Sequence, residues 1–147
     1  MLCEAKSDRL DECIRLGREI GELKKDRDDL QSTIRELEVQ TDERRTRVSE
    51  IADQIESIQF AQDSARAVGA RGGIAGGIAA EVTAQAIRLA RQKDRLEQEK
   101  QRLEAQLSRL GRALSVAERR LAETNGNLSQ FNAAFQNLDC PLGAIPF

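Results

Sequence analysis

The chain has 147 residues, 33% of them charged with a net charge of -2, and 39% hydrophobic with only 3% aromatic. It contains four Phe but no His, Trp or Tyr. The aromatic share of a usual globular core is therefore missing, as is the commonest general base and metal ligand, and near-neutrality gives no bulk pull toward nucleic acid or anionic lipid.

Both prolines, Pro141 and Pro146, fall in the last seven residues, so everything before them is free of the strongest helix breaker. The first predicted element is a helix over residues 4–68. With Cys13 at heptad position a, the a positions are Cys13, Ile20, Arg27, Ile34, Thr41, Val48, Ile55 and Gln62. The d positions are Leu16, Leu23, Leu30, Leu37, Arg44, Ile51, Ile58 and Ala65, and eleven of these sixteen are large apolar residues or Cys. A frame held over more than three or four heptads is the signature of a coiled coil. At 1.5 Å per residue such a helix would extend about 95 Å.

Residues 69–78 follow as a Gly-rich reversal loop, with Gly69, Gly72, Gly73, Gly76 and Gly77 in nine residues. Each glycine costs a helix about 1 kcal/mol against Ala. The heptad frames on either side also differ in phase by three residues, which a continuous rod would have to absorb as a stammer. A change of direction accounts for both features.

The second helix is predicted over 79–138. Its d positions are Val82, Leu89, Leu96, Leu103, Leu110, Ala117, Thr124, Phe131 and Leu138. Its a positions are Ala86, Lys93, Lys100, Leu107, Leu114, Leu121, Leu128 and Phe135. Asn125-Gly126-Asn127 is a weak point, since the tripeptide favours a turn, and a kink or fraying is expected there. Residues 139–147 form an apolar tail that cannot continue the helix past Pro141.

Charge supports pairing of the two helices. Residues 1–68 carry 12 Lys and Arg against 17 Asp and Glu, a balance of -5, whereas residues 69–147 carry 11 against 8, a balance of +3. Antiparallel packing of a layers on d layers allows partner numbers that add to 144 or to 151. The first would stack Arg44 on Lys100. The second sets Arg44 against Leu107 and Ala65 against Ala86, and long polar side chains can then reach outward along apolar neighbours.

Two candidate interfaces lie off this seam. At the predicted tip, Phe60, Ile74, Ile78 and Ile87 gather beside a tandem Gly-Gly-Ile-Ala repeat with small-xxx-small spacing, a pattern that lets backbones approach closely. At the open end, Phe131, Phe135, Leu142, Ile145 and Phe147 concentrate three of the four aromatics. Ile14, Val39 and Val116 are scattered apolar residues outside the seam.

Cys3, Cys13 and Cys140 are odd in number and lack metal-ligand spacing. Reduced thiols in a reducing compartment are the expectation. Cys13–Cys140 and Cys3–Cys140 bridges are the minor alternatives, because the 151 register faces Cys13 with Leu138. Basic stretches such as Arg88, Arg91, Lys93 and Arg95 are interspersed with acids and carry no stacking aromatics, as on a solvated coiled-coil face. No catalytic, cofactor-binding or metal-ligating residues are assigned, and an enzyme is not expected.

The expected fold is all-α: a long antiparallel coiled-coil helical hairpin, two helices joined by a Gly-rich loop, assembled into a multi-helix bundle. The expected role is that of a structural protein that forms a homo-oligomer or docks onto a larger machine, bacterial or phage. The alternative is a membrane-active or conduit protein that uses the Gly/Ala-rich tip. A nucleic-acid accessory role ranks third. The N-terminus has no apolar stretch of signal-peptide type and no run of 18 apolar residues crosses a bilayer. The expected location is cytoplasmic or within a viral or secretion assembly.

Overall fold

A computed structural model describes the backbone of residues 2–71 and 76–140 and the side chains of residues 8–67 and 83–140. Two helices make up almost all of it. Helix α1 runs Leu2–Arg71, 70 residues, and helix α2 runs Gly76–Asn137, 62 residues. Among the described residues there is no strand, and the chain is all-α.

Both helices reach further into the glycine stretch than composition suggests. α1 passes Gly69 and ends at Arg71, and α2 already includes Gly76 and Gly77. A helix many turns long adds one backbone hydrogen bond for each residue it fixes. That gain offsets a penalty of about 1 kcal/mol for a glycine near its end. Residues 72–75 lie outside the described residues.

α2 also runs without a stop through the weak point Asn125-Gly126-Asn127, as the seam continuing through Leu128 implied. The neighbouring seam residue explains this, because Leu128 is buried in the packed core. Burial of one such side chain stabilises by about 1.5–3 kcal/mol, more than the local turn preference opposes. Around Gly126 itself there is open space.

The chain divides into two compact units, each containing a stretch of both helices. The terminal unit comprises Met1–Glu38 with Arg112–Phe147, and the central unit comprises Val39–Gly111. In the terminal unit Leu16, Ile20, Leu128 and Phe135 form the buried core, with Leu23, Phe131, Ala134, Leu138 and Cys140 packed against it. In the central unit Ile51 is fully buried, and Ile58 and Thr41 nearly so.

Every heptad a and d position named above whose side chain is described is buried or half-buried. This includes Arg27, Arg44, Lys93 and Lys100, all half-buried. Val82 lies outside the described side chains. Within the central unit Arg44 pairs with Gln106, Arg47 with Glu99 and Gln59 with Lys93. Partner numbers on α2 thus fall as those on α1 rise. Ala65 of α1 and Ala86 of α2 line one groove.

Candidate functional site

The most distinctive local structure lies where α2 ends. Asn137 is its last helical residue, and Asp139 follows with φ 50°, in the left-handed region. The Asp139 N–H donates to the Gln136 carbonyl at 3.0 Å, and the Cys140 N–H donates to the Phe135 carbonyl at 3.3 Å. This pair of bonds is a Schellman motif, which satisfies carbonyls that a helix end would otherwise leave open and turns the chain back over its last turn. Gly usually takes the left-handed position; Asp is one of the few other residues that enter it.

Arg9 of α1 closes the same end from outside. Its Nε donates to the Leu138 carbonyl at 2.8 Å, its Nη2 donates to that same oxygen, and Nη2 stands 3.7 Å from the Asp139 carboxylate. α2 has no basic residue of its own in its last turn. A cation at a helix C-terminus complements the macrodipole, and here the partner helix provides it.

The turn carries Cys140 to Cys13, and the two form a disulfide with Cα atoms 5.5 Å apart and 127 residues between them in sequence. The expectation of three reduced thiols therefore fails for this pair. Odd number and missing metal spacing could not reveal it, because proximity depends on the turn at Asp139. Cys13 is 2% exposed, whereas Cys140 is half-buried. Cys3 lies outside the described side chains.

A shallow groove of about 510 Å3 lies in the same unit, floored by Leu16, Phe131, Ala134 and Leu138, with Glu12 and Arg15 on its rim. Arg15 donates to the Glu12 carboxylate from one turn away. That hydrogen bond holds the Glu12 carboxyl below its ordinary value and the Arg15 guanidinium above its own. Both side chains face solvent, where such a pair contributes little to stability.

The residues expected at the open-end interface fare differently from one another. Phe135 is only 5% exposed, inside the core of its own unit, so it presents no free surface. The reason is that it is also a seam residue, and the opposing helix covers it first. Phe131 is half-buried and lines the groove. Leu142, Ile145 and Phe147 lie outside the described residues.

The expected tip residues belong to the central unit. Phe60 is 76% exposed, the most exposed of the large apolar side chains described, and Ile87 is 48% exposed. Ile87 borders a groove of about 370 Å3 lined also by Ala65, Ala86 and Ala90, but Phe60 does not. Ile74, and the side chain of Ile78, lie outside what is described. Ile14, Val39 and Val116, placed off the seam by the heptad frame, are all exposed.

The seam of the central unit is bridged by polar groups. Arg44 Nε donates to Gln106 Oε1 at 2.8 Å, Lys93 Nζ donates to Gln59 Oε1 at 2.6 Å, and Arg47 donates from Nε and Nη2 to Glu99 Oε1, both at 3.2 Å. Arg47 also meets Glu50 at 3.4 Å on its own helix. Hydrogen bonding to Glu99, followed by its charge and that of Glu50, raises the Arg47 pKa.

Among the described residues no three His, Cys, Asp or Glu gather as they would around a metal ion, and no helix is long and apolar enough to cross a membrane. No family model matches the sequence, and neither curated proteins nor solved structures yield a match.

Proposed function

We propose that the chain is a non-enzymatic structural or assembly protein, an antiparallel coiled-coil hairpin that reverses direction within the glycine stretch and associates with further copies of itself through faces outside the seam. Support for the hairpin comes from the opposite order of cross-helix partners in the central unit and from burial that follows the heptad positions. The glycines at 72 and 73 suit the reversal because their backbones tolerate the dihedrals of a tight turn.

One observation carries the association. Large apolar side chains stay exposed off the seam, with Val39 at 57% and Phe60 at 76%, joined by Ile14, Ile87 and Val116. Single exposed apolar residues are ordinary. A two-helix pair, however, hides only one seam and has little core of its own. Packing copies side by side would cover these residues and add the layers that one pair lacks.

Size-exclusion chromatography with light scattering tests the reading. A dimer or larger species is expected, with Val39→Glu and Phe60→Glu together driving it toward monomer while helicity by circular dichroism stays unchanged. A well-folded monomer at every concentration would overturn self-association.

A further inference from the structure

The disulfide joins two cysteines in different surroundings. Cys13 occupies a heptad a position of α1 and is 2% exposed. Cys140 is half-buried, follows a left-handed residue and has left the helix. Contacts other than the sulfur bond also place Cys140. They are the two turn hydrogen bonds from Asp139 and Cys140, and the Arg9 guanidinium held on the Leu138 carbonyl. The structure thus combines one partly exposed cysteine with a buried partner beside it, which is the arrangement of a reversible thiol couple.

We propose that Cys140 is a thiol-exchange site, that Cys13 is its resolving partner, and that the reactants are low-molecular-weight disulfides and thiols of the glutathione class. In the oxidising direction the Cys140 thiolate attacks one sulfur of the small disulfide. A mixed disulfide forms at Cys140, and one small thiolate leaves. The Cys13 thiolate then attacks the Cys140 sulfur, the Cys13–Cys140 bond forms, and the second small thiolate leaves. Two protein thiols are oxidised by two electrons, one small disulfide is reduced to two thiols, and the two cysteine protons end on those thiols. Reduction runs backward through the same mixed disulfide: a small thiolate attacks Cys140, and Cys13 departs.

Cys140 is the point of entry in both directions because an attacking sulfur must reach the sulfur it attacks. Cys13 is 2% exposed and closed to that approach, whereas Cys140 is only partly covered by the core it packs against. Held beside the mixed disulfide by the turn, Cys13 acts at a high effective concentration, so the intermediate should be short-lived in the unaltered pair.

The full-length chain tests this directly. After reduction, a pulse of iodoacetamide followed by peptide mapping should label Cys140 at least tenfold faster than Cys13 in native buffer, with the rates converging in denaturant. Equal native rates would overturn the assignment of roles. In a Cys3→Ser background, glutathione disulfide should convert the two remaining thiols to the intramolecular bond with little mixed disulfide accumulating. Adding Cys13→Ser should trap glutathione on Cys140. Adding Cys140→Ser instead should leave Cys13 largely unmodified, provided circular dichroism shows native helicity. Arg9→Ala should raise the amount of mixed disulfide several-fold by loosening the turn. Failure of the helical, reduced protein to form the bond with glutathione disulfide, or thiolation of Cys13 as fast as Cys140, would refute the proposal.

Discussion

The terminal and central units are built on the same seven-residue repeat, yet they close their seams by different chemistry. The terminal unit packs Leu16, Ile20, Leu128 and Phe135 together and adds a covalent bond between Cys13 and Cys140. The central unit buries Ile51 and Ile58 but bridges its helices with Arg44–Gln106, Arg47–Glu99 and Gln59–Lys93. Apolar packing resists separation strongly and tolerates small shifts along the helix. Paired polar groups contribute less energy, but they discriminate between registers, because a slip would leave a charged or amide group facing the wrong partner. Heptads alone therefore do not say which region holds the pair together and which one sets its alignment.

The largest expected effect comes from the disulfide. Closing a loop of 127 residues removes conformational entropy from the unfolded chain worth about 4–5 kcal/mol in the chain-entropy account. Urea unfolding of the oxidised protein and of Cys13→Ser/Cys140→Ser should differ by up to that amount. Amide hydrogen exchange sharpens the comparison. If the units open separately, protection should fall around Leu16, Ile20 and Leu128 and hold around Ile51. An equal loss around Ile51 would mean that both units unfold as one cooperative whole.

Next comes the apolar seam. Ile20 and Ile51 are both 0% exposed, so Ile20→Ala and Ile51→Ala should each cost roughly 2–5 kcal/mol through lost burial and the cavity left behind. With the disulfide intact, the same substitution should affect folding of the terminal unit less visibly, since its helices stay tethered. Thermal melts of both variants under oxidising and reducing conditions check this. Identical responses to reductant would erase the contrast between the units.

Smallest is the cross-helix ion pair. Arg47 and Glu99 are about 40% exposed, so solvent screens them, and a double-mutant cycle with Arg47→Ala and Glu99→Ala should return only about 0.2–1 kcal/mol, diminishing with added salt. A coupling well above that range would make the polar seam a principal source of stability and not chiefly a means of alignment.

Much of this could be read from spacing. The two helices, the positions shielded along each of them and the exposed off-seam residues all follow from apolar side chains recurring every 3.5 residues in a chain with no early proline. Where expectation and structure parted, the local signal was weaker than its surroundings. Phe135 looked available to a partner, but as a seam residue it is covered by its own chain. The pairing of Cys13 with Cys140 was a minor alternative, offered because the 151 register set Cys13 against Leu138, and it is the one the structure holds.

By itself, then, the amino-acid order determined that this protein is helical, where its helices run and which of their faces are shielded, because heptad spacing and helix propensity act over neighbouring turns. Only the tertiary structure decided that α2 ends in a left-handed turn at Asp139, that Arg9 caps it from the other helix, and that Cys140 meets Cys13. Those outcomes join groups more than a hundred residues apart; heptad register could bring Cys140 near Cys13, but the turn and the bond depend on how the chain comes together in space.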